Sequence, residues 1–319
     1  MTVLKIGDLI AEKGMKTQGF IKVLDTNTDV PVTLINGSEE GKTVLITGGV
    51  HSCEYVGIQT AIELAKEIQP QDIKGRLIIC HPLNKSGFEA RRPSIVPEDG
   101  KNLNRVFPGD MNGTLADKIA YMLVKEFQNQ ADFYIDMHGG EAHEQLTPYV
   151  YYIGNSTPEV VEAARNAASM VDCKYMVRSM ATTGAYNYCG IQGTPSILME
   201  RGCTGVWDQE SVDLYKKDVC NILIHLGLME GPMQEVQHYP QDLVDLIYLN
   251  SSIAGCWYPA ADAGDEVKKG QKLGEIRDYF GNLLDTYYAE YDGIILYRSS
   301  ALWVDKEGGI VCYGKRAAL

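Results

Sequence analysis

The sequence predicts an α/β fold: a mixed, largely parallel sheet flanked by helices, with a C-terminal all-β, barrel-sandwich-like unit. Three observations carry the layout. Four short apolar runs, TVLITGGV (43–50), RLIICHPLN (76–84), DFYIDMHG (132–139) and PSILMERG (195–202), have the near-continuous hydrophobicity of strands covered on both faces. Segments of helical period lie between them, which suits parallel strands joined by crossovers. The last eighty residues lose that period and break into short runs punctuated by glycine.

The first helical pattern spans 55–69, with Val56, Ile58, Ala61, Ile62, Ala65 and Ile68 on its apolar face. The second spans 114–128, where Leu115, Ile119, Met122, Leu123 and Phe127 keep the spacing and Thr114 with Asp117 forms an N-terminal cap. A third spans 158–171 and a long one about 208–228. The glycine-rich tail contains GCWYPAADAGDEVKKGQKLGEIRDYFGNLL and AEYDGIILYRSSALWVDKEGGIVCYG. We therefore expect a catalytic domain over 1–235 and a small β domain over 240–319, divided near residues 229–245.

Composition narrows the function classes. The 319 residues carry a formal net charge of -13, and the pI is about 4.9. That argues against nucleic acid, which wants a basic face, and against an anionic membrane surface. The N-terminus has no signal-peptide core, and no run approaches a membrane span. Eight cysteines form no CxxC pair, so they read as reduced, mostly buried thiols of a cytoplasmic protein. The sequence leaves open whether the chain assembles into a homo-oligomer.

Ionisable residues gather where strands end, the place where α/β sheets bind ligands. His51 and Glu54 follow the first run, His138 ends the third, and Glu200 with Arg201 ends the fourth. His51, Glu54 and His138 make a His2Glu set, the donor set of a catalytic zinc that keeps one position for water. Glu200 is then free to act as general base. DGKNLNRVFPG (99–109) supplies Asn104 and Arg105, an amide and a guanidinium suited to a substrate carboxylate. Arg91 and Arg92 offer a cation for a developing oxyanion.

The order HxxE, NLNR followed by FPG, DMHG, and a strand ending in glutamate resembles the zinc carboxypeptidase superfamily, and within it the succinylglutamate desuccinylase/aspartoacylase branch. The resemblance spans nearly the whole chain, including the terminal β unit. It implies one zinc ion per chain on His51, Glu54 and His138, Glu200 as catalytic base, and Asn104 with Arg105 as carboxylate binders. It also implies an arginine that polarises the scissile carbonyl, placed at Arg92 with Arg91 as its rival. The family usually has glycine after the first histidine; here Ser52 stands there, followed by Cys53, for which neither a ligand nor a redox role is expected, since the His2Glu set is already complete.

The implied activity is hydrolysis of a small N-acyl amino acid or related carboxylate. Two alternatives stand beside it: a metallocarboxypeptidase that releases a C-terminal residue from peptides, and a binding protein with a dead site. Arg178 and Tyr186 are candidates for a specificity wall, and Tyr279, Tyr287 and Tyr288 of the β unit for closing over the substrate. Asp136 either orients His138 or satisfies a buried polar position. His143 reads as a solvated loop residue, His81 as structural and His225 as packing. GDEVKKGQKLGEI resembles a biotinyl or lipoyl carrier unit, but no Met-Lys-Met stands at its tip, so carrier function is not expected.

Overall fold

The computed structural model describes residues 3–317. Across the principal sheet the strands run Met15–Lys22, Asp29–Asn36, Lys74–Cys80, Glu39–Gly48, Phe133–His138, Ser196–Glu200, Tyr149–Ile153, Tyr175–Ser179 and Gln241–Asn250. The four apolar runs of the sequence lie side by side at its centre, all parallel. Asp29–Asn36 and Tyr149–Ile153 run antiparallel to their inner neighbours, which makes the sheet mixed.

The period of two explains the layering. Val44 and Ile46 point to one face, where they meet Leu64, Ala167 and Val219 from helices Tyr55–Glu67, Pro158–Ala168 and Gln209–His225. Leu45 points to the other face, against Ile119, Leu123 and Phe127. Both faces are dry, so these strands carry apolar residues at every position. The Thr114–Asp117 cap is present: the Asp117 carboxylate accepts the Thr114 N–H at 2.9 Å at the head of helix Leu115–Met122. That helix continues as one π-helical turn, Leu123–Phe127.

The polar edge strand Met15–Lys22, the short strands Tyr149–Ile153 and Tyr175–Ser179, and helix Ala185–Ile191 are not expected from periodicity. Each is too short or too polar to carry a repeating apolar face.

After Gln241–Asn250 the described residues form strands and no helix, as the glycine-punctuated tail predicts. Gln241–Asn250 is parallel to Tyr175–Ser179 on one side and antiparallel to Gly309–Arg316 on the other, so the sheet runs on into the C-terminal unit. A second sheet orders Leu283–Tyr288, Lys272–Arg277, Gly255–Pro259 and Trp303–Val304. Trp257, Leu273, Ile276 and Tyr287 fill the core of this unit. No helix among the described residues is long and apolar enough to cross a membrane.

Candidate active site

Backbone geometry brings the strand ends together. Glu39–Gly48 is followed by Gly49 at φ +73°, which turns the chain so that His51 stands above the sheet. Glu54 is the residue preceding helix Tyr55–Glu67. A Cβ on Gly57 would lie 2.8 Å from the Met137 carbonyl oxygen. Only glycine lets this helix press onto the Phe133–His138 strand, and the contact carries Glu54 to His138. In the parallel register Glu200 lies directly beside His138. The Tyr215 hydroxyl reaches the carbonyl oxygens of Met199, at 2.5 Å, and His138, at 2.9 Å, and so pins both strand ends.

One carboxylate faces two imidazoles. Glu54 Oε1 is 2.8 Å from His51 Nδ1, and Glu54 Oε2 is 2.8 Å from His138 Nδ1. Outer acceptors face the remaining ring nitrogens. Asn102 Oδ1 lies 3.1 Å from His51 Nε2, and Asp136 Oδ2 lies 3.2 Å from His138 Nε2, close but not aligned as a hydrogen bond. Asp136 Oδ1 accepts the Thr47 hydroxyl at 2.6 Å, which fixes the carboxylate behind the ring. If a cation replaced the protons between the rings and Glu54, Nε2–H turned outward would leave both Nδ1 lone pairs free to hold it.

The residues fit a metal ion. One ligand atom from each of His51, Glu54 and His138 lies within 4.8 Å of the others, and the donors are those zinc favours. The electrostatics agree. Burial pushes the Glu54 carboxyl up, but the charges of His138 and His51 outweigh it and hold it at about 2. Burial pushes the His138 imidazole down, but Glu54 and Asp136 reverse this and hold a positive charge there. The Cys53 thiol is raised by burial and is outside the donor set.

These groups open into a cavity of about 930 Å³. His51, Glu54, His138 and Glu200 line it, with Asn104, Arg105, Arg178 and Tyr186 of the sequence-based candidates. Burial, then the Glu54 charge, pushes the Glu200 carboxyl well above the usual carboxylate range. Its Oε2 is buried without a hydrogen-bond partner. Asn104 Oδ1 accepts the Ala185 N–H at 2.8 Å, so this amide also anchors helix Ala185–Ile191.

Other candidates stand elsewhere. Arg91 and Arg92 are exposed and do not line the cavity; the Arg92 carbonyl accepts the Ser52 hydroxyl at 2.5 Å, and its N–H donates to the Gly87 carbonyl at 2.9 Å. Tyr287 is not at the substrate entrance. It packs edge-on against Trp257 at 5.9 Å, and its hydroxyl accepts the Ser252 N–H. Tyr279 stacks on Trp303 at the surface, and Tyr288 is exposed. Tyr248 and Tyr297 from the same unit line the cavity instead. Period-two patterns name the face of a strand but not which strand of a β unit abuts the catalytic sheet. His143 is exposed, as expected. His81 bonds the Thr33 hydroxyl at 2.9 Å, a structural role. His225 is exposed at a helix end rather than packed.

Asn102, Glu141 and Glu144 are site residues that the sequence reading passed over. Asn102 precedes Asn104 by two in NLNR, and the glutamates follow His138 by three and six residues. Extending the strand-end argument one loop further would have found them.

Residues 40–226 match the succinylglutamate desuccinylase/aspartoacylase catalytic domain, more than half of the chain. The chain belongs to that family. A relative, the N-alpha-acetyl-L-2,4-diaminobutyric acid deacetylase of Halomonas elongata, is 29% identical over 296 residues, 88% of this chain and 86% of the relative. The crystal structure of a succinylglutamate desuccinylase from Silicibacter sp. TM1040 superposes with a TM-score of 0.86 at 25% identity, covering 99% of this chain and 98% of that one. The product-bound ectoine utilization protein EutE (DoeB) of Ruegeria pomeroyi gives 0.87 at 25% identity, over 97% and 98%. This desuccinylase/aspartoacylase fold accounts for both the helix-flanked sheet and the antiparallel C-terminal strands.

Proposed function

We propose that the protein is a zinc-dependent amidohydrolase that removes the acyl group from a small N-acyl amino acid. The observation that carries this is the convergence of His51, Glu54 and His138 in one cavity with an unpartnered buried carboxyl, Glu200. The deacetylase and desuccinylase relatives support the reaction class. Eight unpaired cysteines suit the cytoplasm.

Zinc bound there would polarise the acyl carbonyl and lower the pKa of a bound water. His51 and His138 would hold it through Nδ1, with Glu54 as the third ligand. Asn102 and Asp136 keep the two rings in that tautomer. Glu200 takes the proton of the attacking water and returns it to the leaving nitrogen. Arg105 and Arg178 are the guanidiniums that line the cavity, and they supply the cation for the substrate carboxylate and for charge developing on the acyl oxygen. Arg91 and Arg92, exposed on the surface, are set aside for that role. Peptide release by a carboxypeptidase would use the same groups, but no observation favours it.

The deciding experiment compares wild type with Glu200→Gln on N-acyl amino acids and on short peptides. We expect hydrolysis of the former, a loss of about 10²–10⁴-fold in kcat in the variant, and unchanged zinc content. Preference for peptides of three or more residues, or full activity in the variant, would overturn the reading.

A further inference from the structure

Arg201 closes the fourth apolar run beside Glu200, yet it has no part in the chemistry above. Neighbouring side chains of an extended chain leave on opposite faces. Glu200 lines the cavity, and Arg201 turns under the sheet toward helix Gln209–His225. There it is buried against Asp218, which is fully enclosed. Arg201 Nη2 donates to Asp218 Oδ2 at 2.6 Å and to the Asp172 carbonyl at 2.9 Å. The second Asp218 oxygen accepts the Asp172 N–H at 2.8 Å. One buried ion pair thus joins three segments: the end of strand Ser196–Glu200, helix Gln209–His225, and the turn after helix Pro158–Ala168.

The proposed base has no tether of its own. Among the described residues the Glu200 side chain makes no hydrogen bond and no ion pair, and its Oε2 is buried without a partner. Its place is therefore set by the backbone on either side of it. That backbone is clamped to the chain that carries His138. The Arg201 N–H donates to the His138 carbonyl at 3.3 Å, and the Gly140 N–H to the Gly202 carbonyl at 2.7 Å. A Cβ on Gly139 would lie 2.3 Å from the Arg201 carbonyl oxygen, so the two segments touch there. The Arg201 guanidinium also lies 5.8 Å from the centroid of the Tyr215 ring, whose hydroxyl bonds the Met199 and His138 carbonyls on the same edge.

We propose that Arg201 is a positioning residue for the reaction: tied to Asp218, it fixes the strand end that presents Glu200 to the substrate beside His138. The inference rests on the amidohydrolase reading and deepens it. Stability alone does not account for a charged pair here, because apolar residues of similar volume are often as stabilising in such a place. What the pair adds is direction. Two N–H groups of one planar guanidinium hold the strand end along two lines, to Asp218 and to the Asp172 carbonyl. Both ions are out of water, so leaving this arrangement exposes an unpaired charge to a dry surrounding. A base without a tether needs such a frame, since a displacement of about 1 Å from the reacting water costs roughly 10²-fold in rate.

The test compares zinc-loaded wild type with Arg201→Met/Asp218→Asn on the N-acyl amino acids that wild type hydrolyses. The double change removes both charges together, so neither is left buried alone, and the asparagine keeps an acceptor for the Asp172 N–H. We expect one zinc per chain, a Tm close to that of wild type, an unaltered KM and a kcat about ten- to a hundredfold lower. Wild-type kcat in the double variant, or a change confined to KM, would overturn the proposal and leave Arg201 a structural residue. Where the double variant does not fold, Arg201→Lys decides, because it keeps the charge and loses the planar fork. A lower kcat at unaltered KM then supports the proposal, and wild-type kcat overturns it. If wild type turns over no N-acyl amino acid, the reaction assignment fails, and zinc affinity, read by competition with a chelator, tests the clamp on His138 instead. Binding about tenfold weaker in the variant supports the clamp, and equal binding overturns it.

Discussion

The rings of His51 and His138 stand edge to face with centroids 4.9 Å apart, and both turn Nδ1 toward the single carboxylate of Glu54. Two bases and an acid converging on one point define a demand for a cation, not a hydrophobic core.

The first expectation is therefore metal content. Wild type should bind one zinc per chain, and His51→Ala should lose it while keeping its far-ultraviolet spectrum. Bound metal stabilises the native state by about 2.7 kcal/mol at a hundredfold excess over its dissociation constant. A chelator should lower the Tm of wild type but not of the variant. Equal zinc in both proteins would remove His51 from the site.

The outer acceptors should matter less than the ligands but measurably. Asp136→Asn and Asn102→Ala free the rings that they orient, and each should weaken zinc binding about 10- to 100-fold. Competition with a chromogenic chelator reads this directly. Unchanged affinity in both would assign Asp136 and Asn102 to packing alone.

The tyrosines of the C-terminal unit divide by position. Tyr279→Phe and Tyr288→Phe remove hydroxyls at the surface and should leave KM and kcat at wild-type values. Tyr287→Phe loses the bond to the Ser252 N–H, which costs stability on the order of 1 kcal/mol without altering kinetics. Tyr248→Phe and Tyr297→Phe alter the cavity wall and should change KM roughly fivefold where the hydroxyl meets substrate. Kinetic effects confined to Tyr279, Tyr287 or Tyr288 would reverse this division.

Acid stability has a source away from the site. Burial raises the Asp172 carboxyl, but Lys217 at 2.7 Å and the N–H groups of Gln237 and His238 outweigh this and bring it down to about 2. A folded pKa below the unfolded one stabilises the protein above about pH 4, and that contribution is lost between about 4 and 2. The Tm difference between wild type and Asp172→Asn should be widest near neutrality and shrink as pH falls through that window. A difference independent of pH would mean that packing, not charge, is what the carboxylate contributes.

Much of this protein was legible in its sequence because strand composition and strand ends are local properties. Apolar runs that stop at His51, His138 and Glu200 announce both a sheet buried on two faces and the edge where a ligand sits. Ligand type follows from side-chain chemistry alone, so His51, Glu54 and His138, which the structure brings together, and Glu200, the proposed base, could be picked out without coordinates. What only the tertiary structure decided is which side chains from distant segments share one space. Arg91 and Arg92 lie close in sequence to NLNR yet point to solvent. Tyr287 follows the expected pattern of a β unit yet belongs to that unit's own core. Glu141 and Glu144 look like an ordinary polar loop in sequence, yet both line the cavity beside His51 and His138. The physical reason is that charge and hydrophobicity belong to a residue, whereas desolvation and pairing belong to its surroundings, and those are made by contacts between segments far apart along the chain.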